Sequence, residues 1–314
     1  MPRRPLRRPA GHLPRHRVRR SALSASVTAV VLLAGSAAGG AFLVGRSPDS
    51  APAAVASVSS ASSPPAAAAT SEEAGVDLDA VLAEAVAPLI GDARLSVAVL
   101  GDGDAIAAYG DSEAYDTASI VKVDVLAALL LLAQDEGREL NGAEHGYASA
   151  MIRRSDNASA TRLWQVIGGA EGLDAANARL GLTATTAARA WGLTQTTASD
   201  QVRLLRAVFD TDGDSVLSAD ARAYVQELMG RVEADQQWGV SAAGTGWSLK
   251  NGWMPRTTTG LWDINSVGRV VAGGRTYLVA VLSDGHATKE AGISLVESVA
   301  EAAVSAVGAV SDAR

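Results

Sequence analysis

The chain has 314 residues, of which 34 are acidic and 27 basic, with no cysteine. The missing cysteines exclude disulfides, thiolate nucleophiles and cysteine-held zinc. Nine of the basic residues lie in the first 46, which hold no acid; the remainder carries 18 basic against 34 acidic residues, a balance of −16 that argues against nucleic acid as a partner.

Residues 1–46 open with eight arginines between Arg3 and Arg20. An uncharged run of small and apolar residues follows, from Ser21 to Gly45, closed by Arg46. A basic head before a hydrophobic segment is the pattern of an export signal. At 25 residues the run is also long enough to cross a bilayer. Two readings stand: a signal cleaved near Ser36, Ala37 and Ala38, or a retained anchor. In both, the arginine excess puts the N-terminus inside and the rest outside. An extracytoplasmic location is therefore expected, with membrane contact only through this segment. Residues 47–74 are rich in Ala, Ser and Pro and read as a flexible tether. Residues 75–314 suffice for one well-buried domain, expected to be a monomer.

Within that domain, 76–90 has apolar residues at helical spacing, and 94–110 reads as two strands joined by an Asp-Gly turn. A helix is predicted over 119–135, apolar on almost every side. From about 147 to 235 the pattern is mostly helical. Strand patterns return at 246–253, 263–271 and 276–285, with a Gly273-Gly274 turn between the last two. An amphipathic helix closes the chain over 289–307. Strands split around a helical block predict one five-stranded antiparallel sheet, flanked by the terminal helices, plus an all-helical lobe spanning about 119–235. A cleft is expected where lobe meets sheet.

The chemistry-bearing residues start with Ser119 and Lys122. There are only three lysines, Lys122, Lys250 and Lys289. Capping by Asp116 or Thr117 would put Ser119 in the first turn, where backbone N–H groups have no intrahelical partner. A spacing of three sets Lys122 one turn away on the same face. Burial among valines should depress its pKa, and a neutral lysine can take a serine proton. Alone the pair is weak evidence, because with serine this common roughly one chance in four would produce S-x-x-K somewhere among three lysines. Ser155, Asp156 and Asn157 fall between two helical segments. They suit a proton relay and an amide holder, or simply a helix N-cap. Asn157-Ala158-Ser159 also matches a glycosylation sequon. Lys250, Asn251, Gly252 and Trp253 sit on a predicted strand, where glycine permits close approach of a ligand. The alternative is an edge strand with a solvated lysine.

In this order and on these elements, the three sets resemble the S-x-x-K, S-D-N and K-T-G motifs of the penicillin-recognising serine enzymes. The resemblance is to the class A β-lactamase group and covers roughly 75–308, including "MIRRSDNASATRLWQVIGG" and "GLTQTTASDQVRLL". It implies a two-lobed, transpeptidase-like α/β fold and a serine hydrolase without cofactor or metal. It implies Ser119 as nucleophile, Lys122 as base and Ser155 as proton shuttle to the leaving nitrogen. Asn157 would hold a substrate amide, Lys250 would place a substrate carboxylate, and the N–H groups of Ser119 and Trp253 would form the oxyanion hole. The substrate would be a small β-lactam or a wall-peptide amide or ester. A binding or sensing protein that turns nothing over is the alternative.

Three departures matter. Asn251 stands where the family has a hydroxyl residue. The stretch from Lys122 to Ser155 is short. The interval 175–199 contains no Asp or Glu, whereas class A β-lactamases carry a water-activating glutamate between the second and third motifs. An acyl-enzyme should therefore form and linger.

Residues 210–221 place Asp210, Asp212, Asp214 and Ser218 like calcium ligands, but Ser215 and Ala221 break the pattern, favouring a plain acidic turn. Five tryptophans (Trp191, Trp238, Trp247, Trp253 and Trp262) could wall the cleft or fill the core. Trp253 is expected to line the cleft.

Overall fold

The computed structural model describes residues 76–209 and 213–313. The expectations for the basic head, the 47–74 tether, and Asp210 and Asp212 lie outside the described residues.

The first helix, α1 (Leu78–Val86), starts at Asp77, whose carboxylate accepts from the backbone of Asp79 and Ala80. It leads to β1 (Arg94–Leu100), β2 (Ala107–Tyr109) and a two-residue strand, β3 (Tyr115–Asp116). The helical lobe follows: α2 (Val121–Asp135), α3 (Gly142–Arg153), α4 (Asn157–Val166) and α5 (Gly169–Leu180). A second two-residue strand, β4 (Gln195–Thr196), precedes α6 (Ala198–Phe209) and α7 (Ala219–Met229). The chain then returns to the sheet with β5 (Thr245–Pro255), β6 (Trp262–Ala272) and β7 (Arg275–His286), and ends on α8 (Lys289–Asp312).

The five-stranded sheet runs β2-β1-β7-β6-β5, and its neighbouring strands pair antiparallel. Both chain ends contribute strands, as the split pattern predicts. Both faces are covered, which explains why β1 and β7 read as nearly continuous apolar runs. Val97, Val99, Val279 and Val281 face a core shared with Leu82 of α1 and Val296, Val299 and Val304 of α8. Ala98, Leu100, Leu278, Ala280 and Leu282 face the helical lobe.

Helix α2 lacks an amphipathic stripe because 12 of its 15 residues are buried. Other helices of the lobe surround it, so only its last turn meets water. It ends at Gly137, whose φ of 62° is a left-handed stop that glycine tolerates. Helix α3 begins with a capping box between Asn141 and Glu144, and Arg138 clamps the Glu144 carboxylate at 2.8 and 3.1 Å.

One expectation needs correcting. The cap on the Ser119 turn does not form: Asp116 is instead paired with Arg256 and Gln195, and the Thr117 hydroxyl is buried without a partner. In the acidic turn, Ser218 is a helix cap, accepting from Ala221 N at 3.2 Å, and the Ser215 hydroxyl donates to Ala207 O. Neither serine is left to hold a cation.

Candidate active site

Ser119 sits in a short 3-10 turn, Ala118–Ile120, that runs into α2. Ala118 before it has a φ of +47°, a conformation rare for an alanine and costly unless its surroundings enforce it. Asn265 of β6 supplies part of that enforcement. Its amide donates to Asp116 O at 2.9 Å and Thr117 O at 3.1 Å, while its own oxygen accepts from Ser283 N. Gly252 of β5 supplies the rest by lying against the turn. A Cβ built there would be 2.7 Å from Thr117 O and 2.8 Å from Ser119 N. The close approach that glycine permits is thus between β5 and the backbone of the Ser119 turn.

Lys122, on the first turn of α2, is fully buried, and its Nζ has four oxygen neighbours. They are Ser119 Oγ at 2.9 Å, Ser155 O at 2.7 Å, Ser155 Oγ at 3.0 Å and Asn157 Oδ1 at 2.8 Å. Burial pushes the amine down to about 7, with the Asp156 carboxylate pulling mildly the other way. The geometry suits the neutral form. A carbonyl and a carboxamide oxygen can only accept, so they take its two N–H groups. The remaining lone pair is left to the two hydroxyls, which can donate.

Ser155 precedes α4 with a φ of +56°, a second non-glycine residue in the left-handed region. The turn aims both its hydroxyl and its carbonyl at Lys122. The cap reading and the functional reading of this segment are compatible. Asp156 is the N-cap, accepting from Ser159 N at 2.7 Å, and this frees its neighbours Ser155 and Asn157 for the cluster.

Lys250 is also buried, and its Nζ donates to Ser155 Oγ at 3.0 Å and to Asn251 O at 2.7 Å. Burial, then the neighbouring Lys122, holds its pKa well below the ordinary lysine value. Two amines on one hydroxyl titrate as a coupled pair, and each disfavours charge on the other.

Asn251 is not presented to the cleft. Strand alternation sends it to the face opposite Lys250 and Gly252. There its amide donates to Gln236 O at 2.8 Å and Trp238 O at 2.9 Å, and its oxygen accepts from Ser266 Oγ at 2.6 Å. Its side chain is a structural tie to the 234–240 segment rather than a substrate ligand. Asn251→Ala is expected to lower stability by about 2–4 kcal/mol, because it strips partners from buried groups. Urea unfolding checks this; Ser119 labelling in the folded fraction should stay within about threefold of wild type.

Trp253 needs the same correction. Its ring packs 5.9 Å from Trp238 with Lys289 Nζ 4.2 Å above it, on the terminal-helix side. Its backbone behaves otherwise. Asn251 O turns out of the ladder toward Lys250, and the two-residue repeat of an extended strand turns the Trp253 N–H to the same edge. Trp238, Trp247 and Trp262 also belong to the terminal-helix core, so these four do not form a cleft wall.

The fifth tryptophan is the residue that sequence reasoning did not separate from the rest. The Trp191 ring lies over Lys122, with its centroid 5.0 Å from Nζ. Its signal in the sequence was its place inside the acid-free 175–199 interval.

Comparisons with known proteins bear on the family and the fold. Residues 146–307 match the beta-lactamase enzyme family. No curated protein sequence matches. Among solved structures, a class A beta-lactamase from Bacteroides cellulosilyticus DSM 14838 is 17% identical, with a TM-score of 0.65, covering 75% of this chain and 100% of its own. TLA-1 extended spectrum beta-lactamase is also 17% identical, with a TM-score of 0.65, covering 73% of this chain and 99% of its own. A PBP-A variant solved as an acyl-enzyme complex with penicillin G is 19% identical, with a TM-score of 0.62, covering 74% of this chain and 96% of its own. At these identities the likeness is one of fold.

Proposed function

Given that the chain belongs to the beta-lactamase enzyme family, a family of serine hydrolases, we propose that it is an exported enzyme acylated on Ser119 and slow to release the acyl group. The substrates are β-lactams or D-Ala-type peptides and esters of the cell wall. One observation carries the reading: Lys122 Nζ is 2.9 Å from Ser119 Oγ, and two of its other neighbours, Ser155 O and Asn157 Oδ1, are pure acceptors, so a neutral amine has its lone pair left for a hydroxyl proton.

The steps follow from that lone pair. Lys122 takes the hydroxyl proton as Ser119 Oγ bonds to the substrate carbonyl carbon. Negative charge builds on the carbonyl oxygen, which the N–H groups of Ser119 and Trp253 are placed to receive. The proton passes from Lys122 to Ser155 Oγ and from there to the leaving nitrogen as the C–N bond breaks. Lys250 donates to the same hydroxyl, keeps it oriented, and has further N–H groups to place a substrate carboxylate. The Asn157 oxygen is held by Lys122, which leaves its exposed NH2 group for a substrate amide. A PBP-A variant, a neighbour in fold, was solved as an acyl-enzyme complex with penicillin G, which supports this substrate class.

The missing acid in 175–199 favours slow release. It also keeps open a second reading, a wall-peptide or penicillin sensor that is acylated but does not turn over. The arginine-rich head before an apolar run supports a site of action outside the cytoplasm.

Intact-mass spectrometry after brief penicillin exposure tests the proposal. Wild type should gain the mass of one penicillin within minutes and keep it, and Ser119→Ala should gain none. Rapid multiple-turnover hydrolysis would refute slow release. Turnover of a chromogenic ester separates the enzyme from the sensor.

A further inference from the structure

We infer that Trp191 is a positioning residue that roofs the Ser119–Lys122 pair and keeps hydrolytic water off the acyl-enzyme. The inference deepens the acyl-transfer reading above and rests on it. The ring lies over the Lys122 amine, and its Nε1 donates to Thr161 Oγ1 at 3.3 Å. Thr161 in turn donates to Asn157 O at 3.0 Å, so the indole is tied to the helix that carries Asn157.

The segment that carries Trp191 is fastened to the nucleophile turn. Thr117 N donates to Thr194 O at 2.9 Å, Gln195 donates to the Asp116 carboxylate, and β3 pairs with β4. Trp191 itself starts a tight turn, in which Thr194 N donates to Trp191 O at 3.1 Å. This roof is bonded along the edge nearest Ser119, not draped over it.

No carboxylate of the surrounding segment can take the place of a base. Asp174 accepts from Ala187 N at 2.8 Å. Asp200 is fully buried and accepts from Ala184 N and Thr185 Oγ1 while paired to Arg203. Both are consumed in holding the segment's shape. An apolar ring thus covers the amine, and the one carboxylate that acts on it, Asp156, is taken up in capping α4.

Once the leaving group has taken its proton, the Lys122 lone pair is free again. With the roof removed, a water could reach it. The water oxygen would attack the ester carbon, Lys122 would take the water proton, and Ser119 Oγ would depart carrying that proton back. The intact roof denies water this path.

The test measures acylation and release separately, by stopped-flow labelling with fluorescent penicillin and by loss of label after a chase. Trp191→Ala should shorten the acyl-enzyme lifetime at least about tenfold, short of the roughly hundredfold that a well-placed base contributes, with acylation changed far less. Its release rate should rise with pH as Lys122 loses its proton. Trp191→Phe keeps a ring over the amine and should restore most of the lifetime. Thr161→Val, at an exposed position that folding tolerates, should shorten it about threefold, the worth of one neutral hydrogen bond. A merely structural role would instead slow acylation and lower the melting temperature, leaving the lifetime untouched. Unchanged lifetimes in labelled Trp191→Ala and Thr161→Val overturn the inference. If Trp191→Ala does not fold, an unchanged lifetime in Thr161→Val overturns it. Absence of any label on wild type refutes instead the acyl-transfer reading on which the inference stands.

Discussion

Replacing Lys122 by alanine is expected to slow acylation of Ser119 by about 10²–10⁴-fold, the span of a positioned general base. Lys122→Arg should fare no better, because a guanidinium stays charged and has no lone pair to offer. The wild-type pH profile gives the sharper result. Only the neutral amine accepts a proton, and burial brings the amine down to about 7. The acylation rate should therefore rise with pH through about 7 and level off above it. A lysine with its ordinary pKa would push that rise to near pH 10. Labelling rates between pH 5 and 10 decide between the two.

The same shift has a stability signature. Unfolded, Lys122 holds its proton up to about 10.5; folded, it releases it near 7. Between those values the unfolded chain binds more protons, so the Lys122 contribution makes the fold more stable as pH rises. Below about 7 the cost of the buried charge is fully present. Lys122→Ala should lose this slope, which urea midpoints at pH 6 and 9 will show.

The parts of the site legible in the sequence are those fixed by local spacing. Ser119 and Lys122 share a helical face because they are three apart. Ser155 and Asn157 flank an N-cap because Asp156 between them caps. Lys250 was legible by its order after these two sets. What failed was facing and closure. Lys250 and Asn251 are adjacent on one strand and cannot both point into the lobe. Alternation alone would have separated them, but the partners that bury Asn251, Gln236 O and Trp238 O, come from a segment whose path no periodicity encodes. Trp191 was hidden for a related reason. Its neighbour Lys122 is far away in the chain, and the two meet through tertiary contacts such as the pairing of β3 with β4. Those strands have two residues each, too few for any alternation to register. The absent acid was plain in the sequence, whereas the ring above the amine required the fold.

Gly252→Ala tests how tightly the two lobes are locked at the nucleophile. The added methyl would meet Thr117 O at 2.7 Å, Ser119 N at 2.8 Å and Ile120 N at 2.9 Å. All three are backbone atoms, so no side chain can swing aside. The turn cannot retreat freely either, since Asn265 binds it from β6 and Ala118 already holds a strained φ. The strand and the Ser119 turn must then separate. Overpacking of this kind costs about 1–3 kcal/mol. The larger loss should be in rate. Ser119 would shift relative to both Lys122 Nζ and the open edge of β5, and a displacement of about 1 Å costs on the order of 10²-fold. Gly103→Ala is the control, because a methyl there meets nothing within 4 Å. Urea midpoints and labelling rates for the pair should diverge in both measures. If Gly252→Ala matches the control in rate, the sheet does not set the position of the nucleophile, and the precision of the Ser119–Lys122 contact must come from the helical lobe alone.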